Sequence, residues 1–376
     1  MKILYVTTIG STMDFFRSLL RELTAAGHTV EIATNETERP VSAFFRSLGC
    51  TVHQIDCSRS PLSGGNRKAV RQLRTLVQQE HYDIVHCHTP VAALCTRLAC
   101  RGVRKTGTRV FYTAHGFHFY KGAPKKNWLL FYPIEKFCAR MTDVLVTINH
   151  EDFERAKRKL HAGQVVYVPG VGIDTARFRD AAADRAEMRR SLGIPEAATV
   201  LLSVGELNQN KNHETAIRAI AELQDPSVYY LIAGVGPLSD SLTALAAGLG
   251  LADRVQLLGY RNDVDLLYKT ADILVFPSFR EGLPVSVMEA MASGLPIVAA
   301  SNRGTRELIR DRENGILCPP GDAAAFRNAL ASLCADPQKR AAFAAAGQER
   351  AQRYDQTAVN REMFRLYGIP QEGGEA

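Results

Sequence analysis

The chain has 376 residues, of which 46% are hydrophobic and 23% charged, the composition of a globular protein of two or three domains. Its opening apolar run is too short for a signal peptide and no stretch reaches the roughly 18 apolar residues of a spanning helix, so a cytoplasmic protein is expected. Residues 1–178 carry 25 Lys and Arg against 14 Asp and Glu, net +11, whereas residues 179–376 carry 21 against 25, net −4; the first half should be drawn to something anionic.

Short apolar runs alternate with amphipathic stretches, the pattern of βα units around a parallel sheet. In the first half strands are expected at 3–6, 29–33, 84–87, 110–113, 144–147 and 165–168. The loop after the first contains Gly10, where a small residue lets the backbone approach a ligand. Residues 66–77 read as a helix with Arg67, Arg71 and Arg74 on one face and Val70, Leu73 and Val77 on the other. His86-Cys87-His88 and Thr113-Ala114-His115-Gly116-Phe117-His118 end neighbouring strands. Four histidines and a thiol could bind zinc, but His86 and His88 project to the same face at period two. The eight cysteines have no Cys-x-x-Cys pair and mostly sit in apolar segments, as core residues of a reducing compartment do. In the helix after residue 125, Leu130, Ile134, Phe137, Cys138 and Met141 form the expected core stripe. Trp128 and Tyr132 are then left on another face beside Lys121, Lys125 and Lys126, which is interfacial chemistry.

The Gly- and Pro-rich segment 168–174 reads as an interdomain linker with its hinge near residue 172. Beyond it strands are expected at 200–204, 229–233, 255–258, 273–276 and 297–299. Gly205 and Lys211 follow the first of these, the turn Gly234-Val235-Gly236-Pro237 the second, and Gly259-Tyr260-Arg261-Asn262 the third. Asp263-Val264-Asp265 could hold a metal, but its place before an apolar helix favours an N-cap with an acidic first turn. After the strand ending at Pro277 come Glu281, Gly282, Leu283 and Pro284, then a helix containing Glu289 and stopped by Gly294. Glu281 and Glu289 are at most ~12 Å apart by helical rise, which suits opposite parts of one nucleotide-sugar. A long helical tract runs from Pro337 to Tyr367, with a frayed tail at Gly373-Gly374.

Two glutamates separated by seven residues, with Phe276-Pro277-Ser278, Glu281-Gly282, Glu289-Ala290-Met291-Ala292 and Gly294-Leu295-Pro296-Ile297-Val298 around them, make the chain resemble family 4 of the glycosyltransferases with the GT-B fold. The resemblance implies an α/β architecture of two Rossmann-like doubly wound domains facing a central cleft. Residues 1–172 would bind the acceptor and 173–352 the nucleotide-sugar, while a helix at 353–370 would cross back to the first domain. It also implies that Glu281 faces the donor sugar, Glu289 holds the ribose hydroxyls and Lys211 sits on the diphosphate. Donor contacts would come from Gly10, Gly205, Arg261, Gly282 and Leu283, and His115 and His118 would lie near the reacting sugar and acceptor. The family usually has an Arg five residues before the Lys; Glu206 stands there, so Arg280 or Arg303 is expected to share the phosphates.

The implied reaction is a retaining transfer without cofactor or metal, in which no protein nucleophile is required and the leaving diphosphate accepts the acceptor's proton. The expected partners are a nucleotide diphosphate-sugar, with UDP as its nucleotide, and a lipid-linked or polyprenyl diphosphate acceptor. Relatives with similar His115-Gly116-Phe117-His118-Phe119-Tyr120 and Gly205-Glu206-Leu207-Asn208 stretches serve bacterial surface-polysaccharide (exopolysaccharide or capsule) synthesis. This and the +11 half place the protein peripherally on the anionic inner face of the cytoplasmic membrane. Nucleic acid is not expected, because no base-stacking module is visible. The alternatives are a nucleotide-sugar epimerase of GT-B-like fold, a transferase with a soluble acceptor, and a non-catalytic nucleotide-binding scaffold.

Overall fold

The computed structural model describes residues 1–37, 39–61 and 63–370; the tail at Gly373-Gly374 lies outside them. The chain forms two compact units, one made of Met1–Val171 with the segment that begins at Gln356, the other of Gly172–Asp355.

The first unit is a parallel sheet of seven strands: β1 (Lys2–Ile9), β2 (Thr29–Asn35), β3 (Thr51–Gln54), β4 (Ile84–His88), β5 (Arg109–Ala114), β6 (Val144–Thr147) and β7 (Gln164–Tyr167), in the order β3-β2-β1-β4-β5-β6-β7. Helices cover both faces, so the central strands are buried along almost their whole length. Ile3 and Tyr5 enter one core with Leu19, Leu20, Met363 and Tyr367, while Leu4 and Val6 enter the other with Ala69, Leu73 and Val77. The second unit repeats the motif with β8 (Thr199–Val204), β9 (Val228–Ala233), β10 (Val255–Gly259), β11 (Ile273–Phe276), β12 (Ile297–Ala300) and β13 (Gly315–Cys318), in the order β10-β9-β8-β11-β12-β13. Each sheet has one strand more than the sequence pattern predicts. Thr51-Val52-His53-Gln54 and Gly315-Ile316-Leu317-Cys318 are edge strands of four residues each.

The helical tract after Pro337 is interrupted: a helix Pro337–Ala351 gives way to a 3₁₀ turn, and a separate helix Gln356–Tyr367 belongs to the first unit. It is anchored by the Tyr367 hydroxyl, 2.6 Å from both the Tyr5 hydroxyl and Nδ1 of His86. Arg109 donates to the Leu366 and Tyr367 carbonyls at its end, where a cation also suits the helix dipole.

The helix Lys125–Ala139 keeps Cys138 and Met141 of its predicted core stripe buried but turns the rest of it away from the core. Leu130 and Phe137 are exposed, and Trp128, Phe131 and Tyr132 pack on the core. The cause is Glu135, which forms a buried ion pair with Arg97 (2.8 Å) of the helix Pro90–Ala99, the Arg97 side chain being 1% exposed. Withdrawing one partner would leave an uncompensated buried charge at a cost of about 3–5 kcal/mol, so this pair selects the face of a helix that is apolar on more than one side.

Candidate functional site

In each sheet the strand order reverses once, between β1 and β4 in the first unit and between β8 and β11 in the second. Ligands of open α/β sheets bind outside the carboxyl ends of the strands at such a switch point.

In the second unit, the segment after β8 carries Lys211 and the segment after β11 carries Glu281. Their Nζ and Oε1 atoms are 2.8 Å apart, with side chains 21% and 15% exposed. Lys211 is fixed locally: its N–H donates to Asn208 Oδ1 (3.0 Å), and its side chain crosses Gly205, where a Cβ would stand 3.3 Å from Lys211 Cε. Gly234 is needed because a Cβ there would fall 1.9 Å from the Gly205 carbonyl oxygen, so the Gly234-Val235-Gly236 turn serves close packing of two loops. Glu206 is exposed and accepts from Asn208 Nδ2 (3.0 Å), leaving Lys211 to Glu281. Arg303 adjoins this pair, its Nε donating to the Glu281 carbonyl (3.2 Å). Arg280 lies in the same loop, its carbonyl held by Asn210 Nδ2 (2.9 Å).

Pro284 stands at the N-cap of the helix Val285–Ser293, and Gly294, with φ +80°, stops it. The side chain of Leu283 is buried. Glu289, inside the helix, accepts from the Tyr268 hydroxyl (2.9 Å), and burial raises its carboxyl to about 6. Tyr268 carried no sequence signal, since it sits in an ordinary apolar helical stretch.

Asp263 occupies the N-cap of the helix Val264–Thr270, but its side chain caps nothing. Arg261 grips both of its oxygens at 2.7 and 2.5 Å, and Asp265 is paired with Arg177 at 3.0 Å. The predicted side-chain cap is therefore replaced by an ion pair two residues away. The Arg261 side chain, predicted as a donor contact, is committed to that pair.

At the switch point of the first unit, the Thr8 and Thr89 hydroxyls are 2.6 Å apart. Thr89 holds φ +64° and ψ 142°, a region that costs a β-branched residue about 1–3 kcal/mol and that clusters at functional sites. A cavity of about 230 Å³ opens here, lined by Thr8, Thr12, Arg59, Thr89, His118 and Phe131. His118 stacks on Phe131, with centroids 4.5 Å apart. Nε2 of His115 is 3.2 Å from Nδ1 of His88, and burial lowers His115 to about 4 and His86 to about 3. His86 engages both ring nitrogens, with Tyr367 and with Thr113 (2.8 Å), so it is a hydrogen-bonded core residue. Among the described residues no group of three or more His, Cys, Asp or Glu side chains is arranged to hold a metal ion.

Gly10 begins a 3₁₀ helix, and its N–H donates to the Arg39 carbonyl (2.9 Å). A Cβ there would stand 2.5 Å from the backbone of Pro40 and Val41, so the close approach that demands glycine is made by the protein's own chain. Arg59, Thr12 and Thr89 were missed in the sequence. The one available signal was Thr89-Pro90, a strand passing directly into a helix with Pro at its first position.

Residues 184–350 match the family Glycosyl transferases group 1, and residues 14–170 match the Glycosyl transferase 4-like domain. A Bacillus subtilis protein named glycosyltransferase EpsD is 38% identical over 359 residues, covering 90% of this chain and 94% of that one. The Escherichia coli UDP-Gal:alpha-D-GlcNAc-diphosphoundecaprenol alpha-1,3-galactosyltransferase is 31% identical over 278 residues, covering 72% of this chain and 70% of that one. The solved structure of Anabaena HepE in complex with UDP and glucose superposes with a TM-score of 0.81 at 21% identity, over 98% of this chain and 99% of that one. WaaG, a glycosyltransferase involved in lipopolysaccharide biosynthesis, superposes with a TM-score of 0.77 at 18% identity, over 99% and 100%. The chain belongs to the group 1, family-4-like glycosyltransferases, and its fold is GT-B.

Proposed function

We propose that the protein is a retaining, metal-independent glycosyltransferase that moves a sugar from a UDP-sugar to a polyprenyl diphosphate-linked acceptor at an anionic membrane surface, in bacterial surface-polysaccharide synthesis. The observation that carries the reading is the Lys211–Glu281 pair at the switch point of the second sheet, with Glu289 in the adjoining helix. A donor diphosphate would draw Lys211 from Glu281 and accept its charge together with Arg303. Glu281 would then be free for the sugar hydroxyls, and Glu289 would hold the ribose. Lys211 and the N-terminus of the helix Val285–Ser293 would act on the negative charge that grows on the leaving diphosphate, which is where electrostatic stabilisation lowers a barrier most.

The acceptor would be held by the first unit, where Arg59 and the hydroxyls of Thr8, Thr12 and Thr89 offer contacts to phosphate and sugar beside His118. The name of the E. coli relative supports both substrates, a UDP-sugar and a diphosphoundecaprenol-linked acceptor, and HepE binds UDP and glucose. The three exposed arginines of the helix Gly65–Glu80, Arg67, Arg71 and Arg74, support the membrane partner. Among the described residues no helix is long and apolar enough to cross a membrane. The test is a panel of nucleotide-sugars read by thermal shift, then incubation with a short-chain polyprenyl diphosphate-sugar and determination of product mass and anomeric configuration. An inverted product would overturn the retaining mechanism. Conversion of the donor sugar to its epimer without an acceptor would replace the reading with an epimerase, and absence of any turnover of a bound donor would replace it with a scaffold.

A further inference from the structure

The helix Lys125–Ala139 presents to solvent a face that a soluble enzyme has no use for. Leu129 is 80% exposed, Leu130 46% and Phe137 54%, and Pro133 is exposed with them. Residues 126, 129, 130, 133, 137 and 140 follow the i, i+3, i+4, i+7 spacing of one helical stripe. The stripe is apolar in the middle and cationic at both ends, with Lys126 at one and Arg140 at the other, and Lys125 and Lys136 beside it, all exposed. The helix's own carboxylate, Glu135, points inward to Arg97. No Asp or Glu occurs in the sequence between Asp83 and Glu135.

The surroundings extend the pattern. The helix Gly65–Glu80 packs on the helix Pro90–Ala99, which packs on Lys125–Ala139, so the three lie in one layer. Half-exposed Leu94 and Leu98 of the middle helix separate the Arg67, Arg71 and Arg74 row from the apolar stripe. An exposed apolar strip framed by cations is the arrangement of a helix that lies in the plane of a bilayer, with its side chains in the acyl boundary and its lysines at the anionic headgroups.

We infer that the helix Lys125–Ala139 is a membrane-docking element: Leu129, Leu130 and Phe137 enter an anionic leaflet, and Lys125, Lys126, Lys136 and Arg140, with the arginine row two helices away, bind its headgroups. The inference rests on the reading that the acceptor is held in a membrane. It goes further by naming the inserting side chains, Leu129, Leu130 and Phe137, whereas Trp128 and Tyr132 are partly buried against the core.

The test is co-sedimentation with phosphatidylcholine vesicles, with and without phosphatidylglycerol, of the wild type, of the Leu129→Ser/Leu130→Ser/Phe137→Ser variant and of Lys126→Glu/Lys136→Glu. All five positions are exposed, and unchanged thermal melting checks the folds. The wild type is expected to bind the anionic vesicles, each variant to bind them at least about tenfold more weakly, and the charge variant alone to lose most of its salt dependence. Binding by the triple-serine variant equal to wild type overturns the proposal, as does absence of wild-type binding. A wild-type dimer that the serine variant splits also overturns it, because the stripe then covers a second copy. Transfer to a short-chain prenyl acceptor in detergent-free solution is measured alongside. Vesicle binding without such transfer sinks the acceptor reading and leaves docking intact, and transfer without vesicle binding does the reverse.

Discussion

Nζ of Lys211 lies 2.8 Å from Oε1 of Glu281, so the cation and the carboxylate that flank the switch point of the second sheet hold each other in place. Each also has a separate task in the proposed reaction. Lys211→Ala and Glu281→Gln should each lower kcat by at least about tenfold, since each acts on charge or sugar position in the transition state. Because they form one unit, the double variant should be less impaired than the product of the two single effects. Strict multiplicativity in a double-mutant cycle on kcat/KM would show that the contact has no bearing on turnover, and near-wild-type rates in either folded single variant would refute its role.

Glu289 sets a different pH dependence. Burial raises its carboxyl to about 6, against the pull of the Tyr268 hydroxyl, which favours the ionised form. A carboxylate that accepts from ribose hydroxyls is therefore lost as pH falls through 6. Donor binding measured by calorimetry should weaken below that pH, and Glu289→Gln should be weaker at pH 7 with the inflection removed. An unaltered inflection in the variant would assign the titration to another group.

The fold was legible because both sheets are built from buried strands whose apolar runs stand out, and because Gly282, Pro284 and Gly294 punctuate the donor-side loop and helix. Lys211 and Glu281 could be placed for the same reason, since each lies in the segment after a strand that the pattern locates, and Glu289 lies in the helix that follows. Rotation of the helix Lys125–Ala139 was not legible, since it depends on the partner of Glu135, and Arg97 lies 38 residues away in sequence. Nor was the role of Asp263, because a side-chain cap and an ion pair with Arg261 need the same residues at the same spacing. Thr89 shows the same limit: nothing in a threonine's identity announces a left-handed backbone.

The buried histidines make the first unit sensitive to acid. Burial holds His86 at about 3 and His115 at about 4, whereas an unfolded chain binds these protons near 6.5. Between pH 6.5 and 4 the unfolded state thus takes up more protons, and stability falls as pH falls. The raised carboxyl of Glu289 opposes this trend weakly, because there the folded state binds the proton first. Tm should drop steadily from pH 6.5 to 4, and His86→Gln should flatten the slope; a wild-type Tm constant over that range would contradict neutral burial of the pair. Both rings are neutral at pH 7, so activity between pH 6.5 and 8 should show no inflection that His115→Asn removes.

Besides the histidine cluster, Asp263-Val264-Asp265 is a place where the sequence invites a divalent metal, and the geometry there counts against it. Arg261 hydrogen-bonds both oxygens of Asp263 and lowers its carboxyl, and Arg177 does the same to Asp265 through one oxygen. A metal at this position would have to displace two guanidinium groups and leave their charges uncompensated beside it. In the proposed reaction the charge on the leaving diphosphate would fall instead to Lys211 and Arg303. Turnover in EDTA should therefore stay close to that in its absence, and added Mg²⁺ or Mn²⁺ should raise it little. Asp265→Asn should cost activity only as far as it loosens Arg177 from the helix Val264–Thr270, and it should leave the EDTA response unchanged. Activity abolished by EDTA and restored by Mg²⁺ or Mn²⁺ would mean that a metal carries the diphosphate charge, and Lys211→Ala would then be expected to keep most of its rate.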